Sequence, residues 1–178
     1  MIKNTSESYG IITRSFHWLM GLMIIGIIIA GFVMTSLEPN DQKWFIYAQH
    51  KAFGMIILTL IPLRLLWRFL NPQPKLPKTT SRLQVKAANL NILFLYFCML
   101  LMPFSGFLMS SFGGHPISIF NLFTIPPFEK HQIGGIMHEI HGIFAWGIAA
   151  SVILHVLGAL YHHFILKDNV LKRILSEK

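Results

Sequence analysis

The chain holds one cysteine, Cys98, and only seven acidic residues among its 178 positions. A single cysteine excludes an intrachain disulfide and any C-x-x-C-H covalent attachment of a cofactor. Charge is scarce overall: 12% of residues are Asp, Glu, Lys or Arg, against roughly 25% in an average soluble domain. There is no internal repeat and no low-complexity segment. There is also no basic stripe interleaved with aromatics, so the net charge of +8 does not point to nucleic acid.

What the chain has instead is apolar length. Hydrophobic residues make up 53% of it, and its mean hydropathy is +0.56. They fall into four runs, roughly Ser15–Leu37, Trp44–Leu70, Ala87–Phe112 and His138–Leu166. A bilayer crossing takes about 20 residues, so each run suffices. Each could instead be a buried helix of a large soluble core, but little polar chain remains to cover one. The expected fold is therefore all-α, an integral membrane four-helix bundle forming one domain over residues 1–178. Its helices are expected at roughly 9–37, 44–70, 84–112 and 134–167. The first run is long for a signal-peptide core and no small-residue cleavage pattern follows it, so it reads as an uncleaved helix.

Local signals mark the boundaries. Ser6 and Ser8 offer caps, which predicts that the first helix begins there. Pro39-Asn40-Asp41 makes a short turn, and Asn71-Pro72-Gln73-Pro74 with Pro77 an extended linker. Pro62, and Pro103 with Gly106, predict bends in the second and third helices. In the long loop that follows, Ile117–Phe123 is apolar enough to lie on the membrane surface as a short helix.

Charge then orients the bundle. Arg68, Lys75, Lys78, Arg82 and Lys86 gather between the second and third helices; Lys167, Lys172, Arg173 and Lys178 follow the fourth; Lys3 and Arg14 precede the first. The other two loops hold Glu38, Asp41 and Lys43, then Glu129 and Lys130. By the positive-inside rule both termini are expected in the cytoplasm. Arg64 and Arg68 lie near the inner end of the second helix, within snorkelling reach of the headgroups.

Four histidines stand out inside these runs: His17, His50, His141 and His155. Ionisable side chains in a membrane span are costly and usually functional. His141 and His155 are 14 residues apart. At about 100° and 1.5 Å per residue they share one face to within about 40°, separated by ~21 Å. His138 is a rival to His141 but points about 100° away from His155. Helix direction places His17 and His155 towards the inside, and His50 and His141 towards the outside. Neutral imidazole is a good iron ligand, and a haem takes one ligand on each side of its plane. The natural pairs are His17 with His155 and His50 with His141. His155 is expected somewhat deeper than His17. Zinc fits less well, because it wants four close ligands. His162 shares the face of His155 near the inner surface, where it could contact a quinone or simply pack at the interface. His163 is expected at the headgroups, and His115 and His131 in solvent. Gly21, Gly26, Gly54, Gly147 and Gly158 could make room for flat macrocycles or for close helix packing.

Several motifs together resemble the bacterial cytochrome b561 family, which includes a superoxide oxidase. They are Tyr9; Ser15-Phe16-His17-Trp18; Gln49-His50-Lys51 with Gly54; Arg64-Leu65-Leu66-Trp67-Arg68; Tyr96, Pro103 and Gly106; Gly114-His115-Pro116-Ile117-Ser118-Ile119-Phe120 with Pro126-Pro127; His141; His155; His162-His163-Phe164; and Lys167-Asp168-Asn169-Val170-Leu171-Lys172-Arg173. The likeness covers nearly the whole chain. It implies four transmembrane helices in a bacterial inner membrane and two non-covalent b haems on His17, His50, His141 and His155. One departure is Ile92, where the family often has a histidine. The resemblance also implies transmembrane electron transfer, with superoxide as donor at the outer face and membrane ubiquinone as acceptor. Lys51 and Lys130 could draw in superoxide, Lys51 or Arg14 could pair with haem propionates, and Ser15 with His162 could contact the quinone. The alternatives are a cytochrome subunit serving a dehydrogenase or hydrogenase, a non-enzymatic haem-binding module, and an ion channel without haem.

Overall fold

The computed structural model describes residues 1–77 and 79–176, so Lys78 and Lys178 of the charge pattern lie outside the described residues. Four long helices carry the chain: α1 (Ile11–Ser36), α2 (Asp41–Phe69), α3 (Arg82–Phe112) and α4 (Ile133–Phe164). A small hairpin, β1 (Ile117–Ile119) and β2 (Phe123–Ile125), lies between α3 and α4, and a single turn, α5 (Lys172–Leu175), follows α4. All four long helices are long and apolar enough to cross a membrane.

The helix starts are chemically legible. Asn40 caps α2 by accepting from the Lys43 backbone N–H at 2.8 Å. Ser81 and Gln84 form a reciprocal capping box at the start of α3. The first helix departs from expectation. It begins at Ile11 after Gly10, not at Ser6 or Ser8. Thr5 Oγ1 accepts from the Ser8 N–H and folds this stretch into a turn. The Asn4 carboxamide oxygen then takes the Gly10 N–H at 3.0 Å and the Thr13 hydroxyl at 2.7 Å. No side chain caps α1; Asn4 instead ties the residue before the helix to its first turn.

The core is a ladder through the bundle centre, built from Met20, Ile24, Ile57, Ile61, Cys98, Met99 and Ile148, with every long helix contributing. Most of each span faces outward: the most apolar window of each helix is only 11–22% buried. Leu22, Phe69 and Trp146 are among the large apolar side chains left exposed. A helix apolar on its outer face suits lipid rather than water. In the middle, Asn91 and Ser151 join α3 to α4. The Ser151 hydroxyl donates to Asn91 at 2.6 Å, and the Asn91 amide donates to the Ser151 carbonyl at 3.2 Å.

The termini and the α2–α3 linker meet at one end. Asn4 donates to the Pro72 carbonyl, Arg173 to the Lys75 carbonyl, and the Trp18 indole to the Ile174 carbonyl. At the opposite end the expected surface helix is instead an antiparallel hairpin pairing Ile117 with Ile125 and Ile119 with Phe123. Pro116 and Pro126-Pro127 leave too little chain for a helix. Period-two alternation lets Ile117 and Ile119 bury against Ala52 of α2. Phe120 and Asn121 turn the hairpin with φ of 49° and 61°. Asn tolerates this region; Phe does so at a cost, offset by an edge-to-face contact with Phe53 at 5.2 Å.

Candidate functional site

The four histidines meet in two pairs. His17 of α1 faces His155 of α4 with ring centres 6.0 Å apart. His50 of α2 faces His141 of α4 at 6.2 Å. Two imidazoles binding one metal at ~2.0 Å, with each ring centre about 1.15 Å behind its nitrogen, would stand roughly 6.3 Å apart. Both separations match. Among the described residues no three His, Cys, Asp or Glu side chains cluster as they would for a conventional metal site. The donor sets therefore suit a planar metal complex entered from two sides.

The expected depth mismatch between His17 and His155 narrows because α4 ends at Phe164, sooner than anticipated, which outweighs the later start of α1 at Ile11. His17 lies six residues into α1 and His155 nine before the end of α4, or ~9 and ~13.5 Å. His50 and His141 lie nine and eight residues into their helices, nearly level.

The His50–His141 pair opens on a cavity of about 770 Å³, within the range of cofactor pockets. Gly54 and Gly142 line it, and a Cβ on either would meet nothing within 4 Å. Each histidine ring rests on a glycine. A Cβ at Gly31 would lie 3.3 Å from His50 Cε1, and one at Gly106 3.2 Å from His141 Cε1. The His141 ring is also fixed in rotation. Its Nδ1 lies 3.0 Å from the Met102 carbonyl, which can only accept, so Nδ1 carries the proton. Ser105 braces the same atom at 3.0 Å. That tautomer leaves Nε2 with a lone pair for a metal. His138 also lines the cavity, from an exposed position.

A scan of the sequence against family models matches prokaryotic cytochrome b561 over residues 8–177. The chain is 33% identical to "Cytochrome b561 homolog 2" of Escherichia coli K12, over 98% of this chain and 94% of the relative. It is 26% identical to "Probable superoxide oxidase CybB" of Yersinia pestis, over 97% and 98%. "Cytochrome b561 homolog 1" of Escherichia coli K12 is 25% identical, over 91% and 93%. The chain belongs to the prokaryotic cytochrome b561 family. It is a multi-pass bacterial membrane protein whose family transfers electrons and binds b-type haem.

The remaining candidates of this cytochrome scatter around the two pairs. Lys51 lines the His50–His141 cavity, and its ammonium donates to the Pro116 carbonyl at 2.7 Å, tying the hairpin to α2. Lys130 is exposed and folds over Gly114, whose φ of +78° bars a side chain there. Arg14 is buried, three residues before His17. Ser15 is exposed, and no direct hydrogen bond joins it to His162. His162 instead bonds Asp168 at 2.5 Å. Of the glycines expected to make room, Gly21, Gly26, Gly54 and Gly158 face open space, whereas Phe94 fills the position beside Gly147.

Sequence reasoning missed the surroundings of the ligands. Gly31, Met102 and Ser105 carried no signal of their own, because they act only through rings on other helices. Arg64 and Arg68, expected to snorkel, stack on Tyr96 instead, with guanidinium carbons 5.7 and 5.1 Å from its ring centre. Nearby, burial pushes the Tyr9 phenol above its ordinary range, with Arg68 pulling the other way, so Tyr9 is a neutral neighbour.

Proposed function

We propose that this cytochrome carries electrons across the membrane through two b haems, from superoxide at the outer face to ubiquinone at the inner face. The carrying observation is the two histidine pairs, each bridging two helices at iron-spanning separation. His50 and His141 would hold the outer haem, His17 and His155 the inner one. Bound haem supplies a one-electron carrier at each site. Two superoxide ions yield two dioxygen molecules and two electrons; one quinone takes those electrons and two protons to become quinol. The relative named as a probable superoxide oxidase supports this choice of donor.

The chain's own groups serve the two ends. Lys51 and Lys130 raise the local concentration of a small anion beside the outer cavity. The Met102 carbonyl and Ser105 hold His141 in its ligating tautomer. Ser15 and His162 are the proposed quinone contacts, with Asp168 fixing the His162 ring. The end carrying both termini is the cytoplasmic one, on the strength of its basic loops. In the test, oxidised protein is mixed with superoxide and the reduced-haem absorbance followed, then quinone is added. Reduction by superoxide and reoxidation by quinone are expected. Haems that stay oxidised with superoxide, yet are reduced by a quinol or a protein donor, would replace this reading with that of a dehydrogenase or hydrogenase subunit.

A further inference from the structure

We propose that the tip of the β1–β2 hairpin, Phe120–Phe123, dips into the bilayer leaflet beside the His50–His141 pair and anchors that side of the cavity in lipid. The placement holds whatever the histidines bind.

The hairpin does not sit above the helix ends. It folds back along α2 and α3, where Ile117 and Ile119 pack on Ala52 with Met55 and Phe107 beside them. Ile117 also lines the cavity. At the tip, the Phe120 ring meets Phe53 of α2 edge to face. Phe53 lies 12 residues after Asp41, the start of α2, or ~18 Å along the axis. It also lies nine residues inward of Trp44, ~13.5 Å. Trp44 is exposed, and tryptophan favours the membrane–water interface. Phe120 is thereby held on the membrane side of that marker.

The other helices agree on the level. Gly31 of α1 seats the His50 ring, and Gly106 of α3 the His141 ring. Two residues further into the bundle from Gly31, Gly106 and His141 stand Ile29, Phe104 and Ile143, all exposed. Phe53 is three residues inward of His50 and belongs to the same belt. Large apolar side chains thus face outward from all four helices at the height of the hairpin tip, a surface that suits lipid.

The tip fits this setting. Leu122 is 82% exposed, Phe120 and Phe123 are exposed too, and residues 120–123 carry no charge. Phe120 and Asn121, both at positive φ, form a tight turn closed by the Leu122 N–H on the Ile119 carbonyl at 2.9 Å. The Asn121 carboxamide oxygen accepts from Ser118. Polar groups at membrane depth need partners within the protein, and this turn closes on itself. Charge is confined to the root of the hairpin, where Lys51 holds the Pro116 carbonyl and Lys130 folds over Gly114. Cations at the headgroups with apolar side chains below them is the order of a segment lying in the interface.

The experiment attaches a nitroxide to Leu122→Cys in the purified holoprotein, reconstituted into phosphatidylethanolamine–phosphatidylglycerol vesicles. Cys98 is fully buried, so the label goes to the introduced thiol, and wild type treated alike gives the background. Ile143→Cys and Glu129→Cys, both at exposed positions, are the lipid and water references. Collisions with oxygen, which concentrates in lipid, are compared with those of a nickel chelate, which stays in water. The oxygen-to-nickel ratio at position 122 should match that at position 143 and exceed that at position 129 several-fold. A ratio like that at position 129 would overturn the inference. Protection from both reagents would do so as well, since a second copy or another protein would then cover the tip. Wild-type protein supplies an independent arm. In vesicles containing a photoactivatable acyl chain, the peptide holding Phe120–Phe123 should carry lipid adducts, as should α1 around the exposed Leu22. Adducts on α1 with none on the hairpin would overturn the inference. Neither readout involves haem, so failure here leaves the two-haem reading standing.

Discussion

The two halves of the bundle solve the same problem in different ways. The outer half surrounds its histidines with glycines against each ring, a carbonyl and a hydroxyl on His141, and a hairpin pinned by the Lys51 ammonium. The inner half has a charged setting, with Arg64 and Arg68 on Tyr96 and a cap made from both termini and the α2–α3 linker. One half is shaped by an open cavity with a single lysine at its hairpin, the other by two arginines stacked on one tyrosine. Two pairs of imidazoles, each drawn from two helices, thus sit in unlike surroundings.

The sharpest way to break this comparison is to delete a ligand from each half. His141→Ala should remove the outer haem and His155→Ala the inner one, each halving the haem content by absorbance. Each should also reduce superoxide-driven quinone reduction to background. Loss of both haems from either variant would show that the halves are not independent sites.

Next come the outer supports. Gly106→Val places bulk 3.2 Å from His141 Cε1, and Ser105→Ala removes its brace. Losses of about 10- to 100-fold in affinity are usual for such orienting groups. Haem titration into the apoprotein should show that loss at one site only. An equal effect on both would mean that these supports are not specific to the outer half.

A smaller effect is expected from charge at the entrance. Lys51→Met should slow reduction by superoxide several-fold and flatten its dependence on ionic strength. An unchanged salt dependence would assign Lys51 to holding the hairpin alone.

The smallest effect concerns the seam between α3 and α4. Asn91→Ala should cost about 0.6 kcal/mol in an unfolding assay, the average for an interhelical hydrogen bond in a membrane protein. Both haems should remain, since the Asn91–Ser151 pair touches neither histidine pair.

Much of this arrangement is legible in the sequence, because the signals are long-range and additive. Apolar runs show the spans, and loop charge gives an orientation. Helix phase puts His141 and His155 on one face, and the structure brings each to the predicted partner. The misreadings are local. Ser6 and Ser8 have capping chemistry, yet Asn4 folds back to occupy the start of α1. Ile117–Phe123 is apolar enough for a surface helix, yet Ala52 on another helix offers a place for two isoleucines. Both outcomes depended on a partner distant in the chain.

The sequence by itself determined the membrane class, the four spans and the pairing of histidines by depth. Those follow from hydropathy and helix periodicity, which are properties of the chain alone. Only the tertiary structure decided that Met102 and Ser105 fix the His141 tautomer, that Gly31 and Gly106 seat the rings, and that Arg64 turns back towards His17. Each of these is a contact between side chains on one helix and backbone or rings on another. Such contacts depend on helix rotation and tilt, which only packing fixes.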